Sequence, residues 1–152
     1  MADIKVISVN RKAHHDYHIL ETVEAGLVLS GTEIKSIRAG QVSLKDSYAH
    51  PDGGEMWLYN SHIAGYKAAG RGQHDVDRRR KLLLHRKQID MLTGRLAQRN
   101  LTLVPLKLYI KDGTAKVELA LAQGKRQYDK REAIARREVA REIDRAMKAR
   151  NR

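Results

Sequence analysis

The stretch "LTLVPLKLYIKDGTAKVELALA", Leu101 to Ala122, constrains the fold more than any other part of the chain. Two β-prone runs flank Lys111-Asp112-Gly113-Thr114, and Asp-Gly is a pairing that supplies the positive φ a tight hairpin turn needs. Pro105 has no N–H to give to a ladder, so the spacing places it at an edge or a bulge of the first strand. Shorter runs upstream repeat the pattern. "YHILET" (17–22) and "GLVLSG" (26–31), joined by Val23-Glu24-Ala25, read as a further hairpin. "EMWLYNSHI" alternates Met56, Leu58 and Asn60 against Trp57, Tyr59 and Ser61.

Two segments between these runs carry helical spacing instead. "GTEIKSIRAG" puts Ile34 and Ile37 three apart with Gly40 as its stop, a short helix able to plug a barrel end. "HRKQIDMLTGRLAQRN" aligns Ile89, Leu92 and Leu96 on one face, and His85 stands three residues before Gln88 in the manner of a capping box. Ala64 to Lys81 has no apolar period and is rich in glycine and charge, which reads as a long functional loop. Short strands, regular turns and small helices together point to a mainly β, closed or nearly closed barrel of the kind that binds oligonucleotides.

Charge suggests the partner. The chain has 152 residues, one domain's worth, and carries a net +12. Residues 124–152 hold eleven Lys or Arg against five Asp or Glu, so this tail contributes +6 of that total. A polyanion is the natural counterpart, because each phosphate neutralised by a cation releases condensed counterions. No run approaches the roughly 18 apolar residues of a membrane span, and Met1 is followed by no signal-peptide core. A cytoplasmic protein without a membrane partner is therefore expected. The absence of cysteine removes disulfides, thiolate metal sites and cysteine nucleophiles. In the tail, Ile134, Val139, Ile143 and Met147 form only a thin apolar line, whereas Arg137, Arg141 and Arg145 repel one another at i,i+4. The expectation is a barrel over 1–123 and a tail over 124–152 that is disordered alone and becomes helical on RNA.

The candidate sites follow from chemistry. His14, Asp16 and His18 would share one face of an extended strand and could hold a metal; a solvated strand start, or an RNA surface with Asn10, Arg11 and Lys12 on phosphates, are the alternatives. Glu24 and Glu33 flank the first expected hairpin, but no histidine or serine spacing supports a catalytic pair. A lone carboxylate in a basic protein can instead accept hydrogen bonds from base edges. "RRRKLLLHRK" offers Arg80 and Lys81 for phosphates and Leu83 and His85 as a resting place for an unpaired base, unless it is merely the basic approach to a helix. Tyr128, the tail's single aromatic, suits stacking on a base. Cofactor motifs are absent from the sequence.

Taken in order, "NRKAHHDYHILETVEAGLVLSGTEIKSIRAG", "LKDSYAH", "RRRKLLLHRKQID", "LTLVPLKLY" and "GKRQYDKR" resemble the bacterial small protein B family across nearly the whole chain. That resemblance implies a six-stranded oligonucleotide-binding-like barrel with three helices and a tail unstructured in solution. It implies a non-catalytic, cofactor-free adaptor that binds the tRNA-like domain of transfer-messenger RNA. The adaptor delivers the alanine-charged RNA, with elongation factor Tu, to ribosomes stalled on messages that lack a stop codon. The family's RNA-contacting glutamate falls on Glu24, and the leucine and polar residue of its "KLLLN" motif fall on Leu83 and His85, histidine replacing the usual asparagine. Its tail motif falls on Gly124, Lys125, Arg126, Asp129, Lys130 and Arg131, with Tyr128 where many relatives have histidine. Those residues are implied to enter the decoding centre, built of small-subunit ribosomal RNA, and the empty message channel. A ribosomal or ribosome-assembly protein is the alternative, since it would share the charge, the barrel and the tail.

Overall fold

The computed structural model describes residues 3–65, 74–98, 100–124 and 127–150, the side chains of 127–136 and 149–150 excepted. Its elements run β1 (Ile4–Val9), α1 (Arg11–Asp16), β2 (Tyr17–Leu27), α2 (Gly31–Arg38), β3 (Val42–Ser43), β4 (Tyr48–Asp52), β5 (Glu55–Tyr59) and β6 (His62–Ile63). They continue with β7 (Arg80–Leu83), α3 (Arg86–Leu96), β8 (Leu101–Lys111), β9 (Thr114–Gly124) and α4 (Gln127–Arg150).

The expected hairpin is β8–β9. Lys111 pairs with Thr114 around Asp112 (φ 51) and Gly113 (φ 79), both in the left-handed region as a primed two-residue turn requires. Between Pro105 and Lys107 the register slips by one, so the residue without an N–H sits at a bulge. β9 lines one edge of β8 throughout. β1 pairs with β8 at Val9↔Lys107 through Ile4↔Lys111, and β4 pairs with it at Ala49↔Leu103, so the two share its other edge on either side of the bulge.

Antiparallel pairing then closes a ring of six strands, β8–β4–β5–β7–β2–β9 and back to β8. Met56, Leu58, Leu82, Leu103, Leu108, Val117, Leu119 and Leu121 fill its interior, with Ile37 of α2 and Leu92 of α3 packed in from the ends. The β8–β9 pair is also covered outside, where Ala13 of α1 packs on Val104, Leu106, Ala120 and Ala122. Burial on both faces explains why these two strands read as nearly continuous apolar runs.

Several expectations are corrected. Tyr17 to Leu27 is one strand, because Val23-Glu24-Ala25 contains no turn-forming residue and keeps pairing with Leu119, Glu118 and Val117. The stretch from Arg11 is a short helix: Asn10 Oδ1 accepts from Ala13 N at 3.2 Å and caps it, so His14 and Asp16 are not on an extended strand with His18. Alternation on β5 holds for buried Met56 and Leu58 but inverts at Asn60, whose φ of 62 turns the chain; Asn60 is exposed and Ser61 buried. Four helices, not three, occur among the described residues, since α4 is helical. Of the expected loop over 64–81, residues 66–73 lie outside the described residues, while Arg80 and Lys81 open β7.

α2 and α3 match their sequence signatures. Ser30 and Glu33 cap α2 reciprocally, Gly40 ends it at φ 75, and Ile89 and Leu92 face inward from α3. The α2 cap has a second task. Glu33 is fully buried and accepts from the Ser30 N–H at 2.8 Å, from the Arg78 guanidinium and from Arg80 Nε. Arg80, equally buried, directs Nη1 to the Ser61 carbonyl and hydroxyl, both at 2.9 Å, and Nη2 to the Asp75 and Val76 carbonyls, both at 3.2 Å. Burial pushes the Glu33 carboxyl up, but the Ser30 N–H and the two guanidinium groups outweigh it and hold the carboxyl below its ordinary value of 4.5.

Breaking this pair from one side should cost about 3–5 kcal/mol, because the remaining charge stays buried. Urea denaturation of Arg80→Met is therefore expected to show a large drop in midpoint, and a drop under about 1 kcal/mol would contradict the assignment. Since the folded Glu33 carboxyl lies below its unfolded value, its contribution is present above pH 4.5 and lost as pH falls through the folded value.

Candidate nucleic-acid interface

Strand parity decides which side chains face outward. Ala25 and Leu27 point into the core, so Glu24 and Gly26 lie on the outer face of β2; Leu82 points in, so Lys81 and Leu83 lie on the outer face of β7. Gly26 stands directly opposite Leu83. A Cβ on Gly26 would come within 3.3 Å of the Leu83 Cβ, so the glycine lets the leucine lie flat across β2. The chain then leaves β7 through Leu84 and His85 into α3.

Glu24, Gly26, Leu83, Leu84, His85, Gln88 and Lys116 line one open depression. Three residues that the sequence singles out, Glu24, Leu83 and His85, thus converge although 59 positions separate the first from the second. Leu83 is 51% exposed, whereas its neighbour Leu82 is fully buried. His85 precedes α3, and Gln88 Oε1 accepts the His85 N–H at 3.0 Å, which fixes the backbone at the rim. Lys116 comes from the outer face of β9.

Glu24 is held from behind. Its Oε2 accepts the Tyr109 hydroxyl and lies 3.5 Å from Lys111 Nζ, both residues belonging to β8. The Tyr109 hydrogen bond, aided by Lys111 and Lys116, lowers the Glu24 carboxyl below its ordinary value against the upward push of desolvation. Burial and then Glu24 push the Tyr109 hydroxyl far up, so it stays a donor.

The other expected contacts are placed differently. Asn10 is buried, with Nδ2 donating to the Leu44 and Pro105 carbonyls at 3.2 and 2.9 Å, and Arg80 is spent on Glu33; neither is available to a phosphate. Glu33 is fully buried at the start of α2 and Glu24 lies on the outer face of β2, so they form no pair of acids. Arg11 and Lys12 are exposed on α1, Lys12 being 2.7 Å from Asp46. Lys81 lies on the outer face with Nζ 3.7 Å from Glu55. His15 contacts Asp16 at 3.0 Å, and the described residues contain no group of three metal-ligating side chains. Gly124 ends β9 opposite Tyr17. Lys125 and Arg126 lie outside the described residues, as do the side chains of Tyr128, Asp129, Lys130 and Arg131, whose backbone belongs to α4. The described α4 side chains, 137–148, are all exposed.

Gly26, Tyr109, Lys111 and Lys116 carry no site signal in the sequence, and Gln88 is marked there only as the capping partner of His85. Gly26 read as a strand boundary and the lysines as solvated charges. The period-two alternation of "KVELALA" puts Lys116 opposite in sense to Val117, and that was the available signal.

A basic, mainly β protein with an open, charged depression on its outer sheet face is suited to recognising a large polar surface. The comparisons give the family. Residues 7–149 match the SmpB protein family. The SsrA-binding protein of Carboxydothermus hydrogenoformans is 56% identical over 146 residues, 96% of this chain and 98% of that protein. That of Geobacillus kaustophilus is 60% identical over 146 residues, covering 96% and 94%. A solved chain described as "tmRNA-SmpB: a journey to the center of the bacterial ribosome" superposes with a TM-score of 0.68 at 49% identity, covering 84% of this chain and 93% of that one. The chain belongs to the SmpB family.

Adjacent leucines on opposite faces give a direct check of this geometry. Leu82→Ala should cost about 2–5 kcal/mol and Leu83→Ala under about 1 kcal/mol, measured by urea denaturation. Equal losses would mean that Leu83 is not on the outer face.

Proposed function

We propose that this chain is a tmRNA-binding adaptor of ribosome rescue. The convergence of Glu24, Leu83 and His85 in one depression carries this reading, because a carboxylate acceptor, an apolar rest and a flat side chain within one nucleotide's reach can together hold a splayed base. The relatives named SsrA-binding protein and the tmRNA-SmpB structure support the same partner. In this reading the six-strand ring serves as an oligonucleotide-binding-like barrel, and the depression takes the tRNA-like domain of transfer-messenger RNA. The protein works in the cytoplasm, without catalysis or cofactor, on alanyl-tmRNA in company with elongation factor Tu.

The tail has the second task. A message channel is walled by ribosomal RNA phosphate and is normally occupied by an anion with its counterions. A +6 segment fills it when the message is absent. Gly124 to Arg131 meet the decoding centre, and the rest of the tail lies along the channel. Helices without tertiary support are marginal in water, and the described side chains of α4 are exposed, so the helix is sustained by that contact.

A gel-shift titration against a tRNA-like-domain transcript, with ordinary tRNA as competitor, separates the two tasks. The full chain and a truncation after Gly124, which keeps β9 intact, should both prefer the tRNA-like domain at low and high salt. The truncation should lose tagging on stalled ribosomes. Equal competition by ordinary tRNA, or unchanged tagging by the truncation, would refute the respective half.

A further inference from the structure

The outer face of β8 carries two residues that do not line the depression but hold the carboxylate that does, Tyr109 and Lys111. We infer that Tyr109 is a positioning residue: with Lys111 it pins Glu24 Oε2, so that Glu24 offers Oε1 as a fixed, ionised acceptor that selects an N–H donor on a base edge and rejects phosphate. This inference rests on the RNA-binding reading above and names what the depression recognises.

Both recorded contacts of Glu24, the Tyr109 hydroxyl and Lys111 Nζ at 3.5 Å, fall on the same oxygen. Neither of these contacts involves Oε1. A carboxylate tethered through one oxygen loses its rotational freedom, so its other lone pairs keep one direction. Tyr109 is itself only 5% exposed, locked in the β8–β9 pair opposite Lys116 and with Lys107 Nζ 5.6 Å from its ring centroid. Its hydroxyl therefore comes from a rigid part of the sheet.

The charge pattern explains why a carboxylate belongs there. Lys107, Lys111 and Lys116 on β8 and β9 attract phosphates across this face, and cations alone would let a nucleic acid slide. Glu118, opposite Glu24 on β9, is engaged by Lys107 at 3.6 Å. Glu24 thus adds one fixed negative point at the depression. Phosphate oxygens are repelled from it, while the amino or imino hydrogens of a base are accepted, so one register of the RNA is favoured over its neighbours. The proximity of Tyr109 and Lys111 also keeps the carboxyl ionised below its ordinary range, so the acceptor persists on mild acidification.

The test is equilibrium binding of the full chain to the tRNA-like-domain transcript, from pH 4 to 8 and over a range of salt, for the unsubstituted protein, Tyr109→Phe, Glu24→Gln and the double variant. Phenylalanine keeps the ring, and thermal unfolding checks that the fold is retained. Tyr109→Phe should weaken binding about tenfold at neutral pH, and the double variant should bind no worse than Glu24→Gln alone, since the tyrosine acts only through the glutamate. The slope of log affinity against log salt should not change, because no phosphate contact is removed. Binding that depends on ionised Glu24 is lost as pH falls through its folded value; Tyr109→Phe raises that value, so the loss should begin at higher pH. Glu24→Gln reports the titration of the RNA itself. Additive losses, a changed salt slope or an unmoved acid limb overturns the positioning role while leaving the RNA-binding reading intact. If the unsubstituted chain shows no preference for the tRNA-like domain, both fall.

Discussion

Arg80 and Glu33 form a fully buried ion pair between β7 and the start of α2, and the placement of β7 depends on them. β7 has only four residues; it pairs with β5 at three positions, Met56↔Leu82 to Leu58↔Arg80, and with β2 at only two, Gly26↔Leu83 and Leu27↔Leu82. A charge pair removed from water is tolerated only when every donor and acceptor is met. Here the guanidinium reaches Glu33 in α2, Ser61 just past β5, and the carbonyls of residues 75, 76 and 78, so one side chain joins three separate stretches to β7. Leu83 and His85 follow within five residues. The depression is thus fixed by a buried electrostatic anchor rather than by the length of its strands.

The parts of this fold that could be read from sequence are those where local chemistry and tertiary environment agree. The β8–β9 turn, the Pro105 bulge, the capped α2 and the apolar face of α3 each carry their own signature. The failures are places where the environment reassigns a residue. Gly26 looks like punctuation but serves a close approach to Leu83 inside one long strand. α1 has six residues and a single buried side chain, Ala13, too little for any periodicity to register. Arg80 sits in a basic run that reads as solvated, and only the fold reveals that it faces Glu33. Within the site, Glu24, Leu83 and His85 were legible through resemblance. Tyr109 was not, because half of its strand faces the core and nothing local marks the hydroxyl that reaches β2 from two strands away.

Charge is distributed unevenly between the two parts of the chain. On the ring, many cations already have an acid close by: Lys12 with Asp46, Arg79 with Asp52, Lys81 with Glu55, Lys107 with Glu118 and Lys111 with Glu24. Exposed pairs of this kind are screened by solvent and contribute little, so a phosphate can replace the acid at little cost. Residues 1–123 and the tail each carry a net +6, but the tail concentrates it in 29 residues.

β2 is a single eleven-residue strand, and the tail departs from Gly124 opposite its first residue, Tyr17, while Glu24 stands seven residues further on. β2 has one extra residue at a bulge between Ile19 and Glu21, so the six steps of β9 from Gly124 to Glu118 set the span: at about 3.3 Å per residue, roughly 20 Å of doubly stranded backbone separates the root of the tail from the carboxylate of the depression. The strand is therefore a calliper. Two partners gripped at its two ends are held at one spacing, and a length change in β2 would alter that spacing without touching either grip.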